Sequence, residues 1–191
     1  MRIVAGSLKG RAIIAPEGQN TCPTSDRGRQ GIFHVLEHAS WGENLHDLRV
    51  MDIYAGSGAL GFEALSRGAA FALFVEIDDG ARGVIRENMD AYGLFGRARV
   101  HRRSAIDLGE RPGSVGEAFD IAFLGPPYAK GLGEHTVERL REGQGLKPGA
   151  IVVFERGSDE PDIDTPGYER LDARDYGAAR VLFLRVLETA P

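Results

Sequence analysis

Apolar and polar positions along the 191-residue chain change period in a way that divides it into two parts. From residue 47 onward, short apolar runs alternate with segments of helical period, the pattern of parallel strands covered by helices on both faces. The runs are 48–53 (LRVMDI), 71–76 (FALFVE), 98–102 (ARVHR), 119–124 (FDIAFL) and 150–155 (AIVVFE), largely apolar, as strands buried on both sides should be. Helices are expected between them, with Gly68, Gly93 and Gly143 closing the segments that begin at Ala59, Asp79 and Glu134. Each crossover should be right-handed. Residues 168–177 and 179–188 are two extended segments joined by Gly177 and two alanines, so the α/β sheet should end in an antiparallel hairpin and reach seven strands.

The first 46 residues read differently and are expected to form a small unit ahead of a main domain, 47–191. MRIVAGSLKGRAIIA predicts a hairpin around Lys9–Gly10, and a helix should follow, capped by Thr24 or Ser25, with Ile32, Phe33, Leu36 and Ala39 as its apolar stripe. Gly28 and Gly31 each weaken that helix by about 1 kcal/mol relative to Ala.

Composition narrows the function classes. At 42% hydrophobic and 27% charged, the chain is neither disordered nor fibrous. No apolar run approaches the roughly 18 residues of a membrane span, and the opening MRIVAGSLKGR lacks the apolar core of a signal peptide, which predicts a cytoplasmic chain. Cys22 is expected to be a bystander thiol, and five scattered histidines offer no metal-ligand spacing. The net charge of −5 argues against a nucleic-acid partner until it is divided: residues 1–29 carry +3, from Arg2, Lys9, Arg11, Arg27 and Arg29 against Glu17 and Asp26, and the remainder −8. Contact with a polyanion would therefore be local. A second basic run, Arg97, Arg99, Arg102 and Arg103 around His101, reads as a solvated strand end.

After the first strand comes D-I-Y-A-G-S-G-A-L-G, 52–61, in which Gly56, Gly58 and Gly61 have the spacing of a turn that cradles a nucleotide cofactor. Glu76 closes the next strand, 20 residues after Gly56, where a ribose-binding carboxylate belongs. A nicotinamide enzyme and an S-adenosylmethionine enzyme would share these features. Asp52 tips the balance, because an acid at an apolar strand end suits a ligand bearing an ammonium and a sulfonium better than a pyrophosphate; the terminal hairpin points the same way. Ser104 and Ala105, after the third strand, are where an adenine edge would be read. FLGPPYAKGL, 123–132, ends a buried strand in a rigid corner whose prolines leave carbonyls free to accept hydrogen bonds, as from the exocyclic amino group of a base.

With M-R-I-V-A-G-S-L-K-G-R, C-P-T-S-D-R-G-R, D-I-Y-A-G-S-G-A-L-G-F-E-A-L-S-R-G-A, F-V-E-I-D and F-D-I-A-F-L-G-P-P-Y, the chain resembles the RsmD family over nearly its whole length. That family methylates the exocyclic N2 of a guanine in small-subunit ribosomal RNA. The resemblance implies a Rossmann-like class I methyltransferase fold acting as a monomer, without metal, on ribosomal RNA or a small-subunit assembly particle. It implies that Asp52, Ala55, Gly56, Ser57, Gly58, Glu76, Ile77, Ser104 and Ala105 hold S-adenosylmethionine. Arg2, Lys9, Arg11, Arg27 and Arg29 would meet RNA, and Gly125, Pro126, Pro127 and Tyr128 would form the catalytic corner, with Tyr128 stacking on a flipped-out base. The chain departs from the family pattern at Cys22, Gly28, Gln30–Gly31 and Ser104, and above all at Gly125, where an aspartate or asparagine is usual. A slow enzyme is expected. The alternatives are a cofactor- and RNA-binding protein without catalysis, an adenine-N6 methyltransferase using the same corner and, sharing only the glycine spacing, a nicotinamide-dependent oxidoreductase.

Overall fold

In the computed structural model, which describes residues 1–18, 24–128, 130–143 and 145–188, seven strands form one sheet. They are β1 (Arg49–Ile53), β2 (Phe71–Val75), β3 (Ala98–His101), β4 (Phe119–Leu124), β5 (Leu146–Gly157), β6 (Tyr168–Tyr176) and β7 (Ala179–Val186). Their order is β3-β2-β1-β4-β5-β7-β6, parallel from β3 through β5 and antiparallel at β7 and β6. Among the described residues the α-helices are α1 (Asp26–His38), α2 (Ala59–Ser66), α3 (Asp79–Tyr92) and α4 (Leu132–Glu142). Cys22 lies outside the described residues. Among the described residues, no helix is long and apolar enough to cross a membrane.

Alternation along the strands sorts the core into two layers. Val50, Phe74, Phe123, Val153 and Phe183 face Ile32, Phe33 and Leu36 of α1, Phe62 and Leu65 of α2 and Ile85 of α3. Met51, Leu73, Leu124, Val152 and Phe154 face the other way, toward Val137 and Leu140 of α4 and toward Leu108 and Val115. The expected boundaries of α3 and β4 agree with the structure, whereas α4 begins two residues earlier than expected, at Leu132. β5 also begins earlier, because Leu146 pairs with Phe119 and Lys147 reaches Asp120 at 2.9 Å, carrying the strand through Pro148 and Gly149.

The N-terminal hairpin is reduced to a single antiparallel bridge, Arg2 with Ala12. Its order comes instead from α2. Glu63, fully buried, accepts from the backbone N–H groups of Val4 (2.9 Å) and Ala5 (3.0 Å) and from Arg67 Nε (3.0 Å) and Arg29 Nε (3.3 Å). Ser66 Oγ accepts from Leu8 N at 2.9 Å and donates to the Ala5 carbonyl at 2.5 Å. Gly6, at φ 81°, is required here, since a Cβ would stand 1.9 Å from the Ser66 carbonyl oxygen. Further on, the Asn88 amide clasps the backbone of Ile14 with two 3.0 Å hydrogen bonds.

Ser25 caps α1, its Oγ accepting from Gly28 N at 3.0 Å. The two glycines of this helix face Tyr176 of the terminal hairpin: a Cβ at Gly31 would lie 2.4 Å from the ring and one at Gly28 3.7 Å from the Tyr176 Cβ. The packing of that ring offsets the helix propensity the glycines forfeit.

Removing one partner of a buried ion pair typically costs about 3–5 kcal/mol, because the other charge is left uncompensated. Glu63→Ala should therefore lower the stability measured by urea unfolding by that order. The double variant Glu63→Ala/Arg29→Met should recover part of the loss; equal instability of the two would show that the Glu63–backbone bonds carry the whole effect.

Candidate functional site

The strand order reverses between β1 and β4, and ligands of such sheets bind outside the carboxyl ends of the strands at this point. A cleft of about 770 Å³ opens there, lined by residues that follow β1, β2, β3 and β4, and by Glu155 of β5. It brings together Gly56, Glu76, Ile77, Ser104, Ala105 and the corner Gly125, Pro126, Pro127 and Tyr128.

The turn after β1 is held by its neighbours. Glu76 accepts from Gly56 N through Oε2 and from Asp78 N through Oε1, each at 2.9 Å, so the carboxylate that closes β2 fixes the loop that closes β1. Gly58 begins α2 with φ 78°, and a Cβ there would stand 2.8 Å from Phe62 and 3.0 Å from Phe74. At Gly61 a Cβ would come within 2.4 Å of Phe74. Thus Gly58 and Gly61 permit α2 to pack closely on the sheet, and Gly58 does not line the cleft.

Asp52, Ala55 and Ser57 line a second cavity of about 170 Å³, which shares Tyr54, Gly56, Gly125 and Glu155 with the first. Asp52 Oδ2 accepts from Gly61 N at 2.9 Å. Burial pushes its carboxyl up to about 7, the Gly61 bond opposing this and the charge of Glu76 adding to it.

Of the five N-terminal cations, Arg29 is corrected by the structure. Its side chain is wholly buried, paired with Asp26 at 2.8 Å and Glu63 at 3.3 Å, and donates to the Arg2 carbonyl, so it offers no charge to a surface ligand. Arg2, Lys9, Arg11 and Arg27 are exposed. None of the four lines either cavity; the N-terminal segment reaches the site through Met1, Ala15, Pro16 and Thr24, which line the smaller one. In the second basic run, Arg97 bonds to the Leu65 and Ala69 carbonyls, Arg99 to Ser114 and Arg103 to Leu108, so several of these guanidiniums brace loops.

Two site residues escape sequence reasoning. Tyr54 lines both cavities, adopts φ 60°, a conformation costly for a bulky residue, and shares a 3.0 Å hydrogen bond with Thr136 Oγ1. Glu155, buried at 6% exposure, lines both cavities and receives hydrogen bonds from Tyr128 OH at 2.7 Å and from Thr24 Oγ1. Tyr54 carries no local sign beyond its place in the glycine motif. Glu155 does carry one, since it closes an apolar strand as Asp52 and Glu76 do.

The model of the family described as Conserved hypothetical protein 95 matches residues 1–185. Ribosomal RNA small subunit methyltransferase D of Haemophilus influenzae is 32% identical over 178 residues, covering 93% of this chain and 89% of its own. The enzyme of the same description from Escherichia coli strain K12 is 34% identical over 155 residues, 81% of this chain and 74% of its own. Among solved structures, yhhF of Escherichia coli, described as a candidate methyltransferase, superposes with a TM-score of 0.81 at 28% identity, covering 99% of both chains.

Because the unfolded chain binds a proton at Asp52 only below about 4 and the folded chain does so up to about 7, stability contributed by this group falls as pH rises through that window. Asp52→Asn should lack this fall. Urea midpoints from pH 4.5 to 8 should show the variant gaining on the parent as pH rises; a constant difference would mean that Asp52 titrates normally.

Proposed function

This chain belongs to the family described as Conserved hypothetical protein 95, the RsmD family of RNA methyltransferases, and from that membership we propose that it methylates the exocyclic N2 of a guanine in small-subunit ribosomal RNA. The observation that carries the reading is one cleft holding both halves of the chemistry: the Gly56–Glu76 turn and the Gly125–Tyr128 corner line the same space.

The residues fit S-adenosylmethionine. Asp52 is a buried carboxylate whose raised affinity for protons marks a place that favours a positive neighbour, Glu76 stands where a ribose would lie, and Ile77, Ser104 and Ala105 form an apolar and hydroxyl-bearing wall for a purine. Bound there, the cofactor supplies a methyl group on a sulfonium, whose transfer leaves a thioether and releases one proton from the amine. The chain's own task is to hold the amine. Its lone pair is delocalised into the purine ring, so acceptors must engage the N–H groups while the nitrogen turns toward the methyl carbon. The Pro126 carbonyl and a second acceptor perform this, and Tyr128 stacks on the base. The exposed Arg2, Lys9, Arg11 and Arg27 serve as phosphate contacts that orient the RNA.

Gly125 lacks the side-chain acceptor. Loss of one such transition-state partner typically costs about 2.7–4 kcal/mol, or 10² to 10³ in rate. The corner has room for the missing group, since among the described residues beyond its chain neighbours no atom lies within 4 Å of a Cβ at Gly125. Gly125→Asp should therefore raise the rate of tritium transfer from labelled cofactor to ribosomal RNA at least tenfold, with nucleoside analysis identifying N2-methylguanosine. Equal rates for parent and variant would remove position 125 from the acceptor set, and N6-methyladenosine would replace guanine as the target.

S-adenosylmethionine should raise the melting temperature of the parent by mass action. Asp52→Ala and Glu76→Ala should each weaken its binding by roughly ten- to hundredfold, the loss of one charged hydrogen bond of about 1.5–3 kcal/mol. Isothermal titration of the two variants checks this, and parent-like affinity in both would move the cofactor elsewhere.

A further inference from the structure

We propose, on the reading of the cleft as a methyl-transfer site, that Glu155 supplies part of the acceptor function for the target amino group that position 125 lacks, less effectively than an aspartate at 125 would. The sheet register carries the argument. β4 and β5 run parallel with Phe123 opposite Val153 and Leu124 opposite Phe154, so the next step sets Gly125 beside Glu155. Alternation places both on the face that carries Phe123 and Val153, toward α1. Neighbouring strands lie about 4.7–4.9 Å apart and no Glu155 atom stands within 4 Å of a Cβ built at Gly125, so the longer glutamate borders the space that an aspartate at 125 would fill without entering it.

The surroundings agree with that placement. Glu155 and Gly125 are both in the lining of the larger cleft and of the smaller cavity. Among the described residues beyond its chain neighbours, a Cβ at 125 would meet no atom within 4 Å. Tyr128 OH holds Oε1 at 2.7 Å, and Thr24 Oγ1 holds Oε2, so the carboxylate is oriented from two sides. Each carboxylate oxygen carries two lone pairs, which leaves acceptor capacity after these bonds. The tyrosine bond also joins the acceptor to the ring on which the base stacks, so one contact sets the spacing of both. Thr24, just before α1, links the pair to the N-terminal segment that faces the smaller cavity.

Glu155→Gln keeps size and can still accept from Tyr128, but it removes the charge and places an N–H₂ donor beside the amine. Methyl transfer to ribosomal RNA, measured under saturating S-adenosylmethionine for the parent, Glu155→Gln, Gly125→Asp and the double variant, separates the cases. The expected result is a kcat at least tenfold below the parent for Glu155→Gln, with cofactor affinity within twofold, and recovery in the double variant to within threefold of Gly125→Asp alone. Parent-like turnover in Glu155→Gln would overturn the proposal. So would a double variant as slow as Glu155→Gln, which would make Glu155 only a support for Tyr128. A silent parent beside an active Gly125→Asp would show that Glu155 does not substitute, while leaving the methyltransferase reading in place. If neither the parent nor Gly125→Asp transfers methyl to RNA, that reading fails and the acceptor role falls with it.

Discussion

The arrangement depends on one buried carboxylate. Glu63 sits in the middle of α2, out of water, and neutralises Arg29 and Arg67 while accepting from the backbone of Val4 and Ala5. Such a charge is tolerated because its lone pairs are used, so Glu63 ties the N-terminal segment, α1 and α2 to one another. The same helix begins at the Gly56–Gly58 turn. The contact therefore anchors the helix that follows that turn.

Close packing performs the complementary task on the sheet. Phe74 lies against Gly58 and Gly61, and these glycines let α2 approach β2 until the Gly61 N–H meets Asp52. The outcome is a carboxyl group held in an apolar place at the edge of a cavity, with its affinity for protons raised and an unmet preference for positive charge. On the proposed reading, stability is given up locally for binding, a trade that concentrates at functional sites.

Much of this was legible in the chain. The apolar runs after residue 47 located the strands, and Asp79 through Gly93 marked a helix by its acid at one end and glycine at the other. Gly56, Glu76 and the Pro126–Tyr128 corner were found by motif, and they meet in space. Arg29 reads as exposed because charge suggests exposure, and its partner Glu63 lies 34 positions away. Glu155 reads as the polar end of a strand, although it carries the same signal as Asp52 and Glu76. What set it apart was its neighbour across the sheet, and register between β4 and β5 is not written in either segment alone. The length of β5 was missed for a related reason: Pro148 and Gly149 suggest a turn, and only pairing with Phe119 overrides them.

The contact between Gly31 and Tyr176 constrains the paths by which this sequence can change. A methyl group at 31 and a ring at 176 claim the same volume, so neither substitution that would suit the other position is acceptable first. Gly31→Ala, favourable to an isolated helix, becomes unfavourable while the tyrosine remains, and loss of the tyrosine uncovers a helix weakened by two glycines. The cost of one change thus depends on a residue 145 places away in the chain. Alanine in the helix requires the hairpin tyrosine to turn aside or shrink, so two positions at opposite ends of the protein answer to each other.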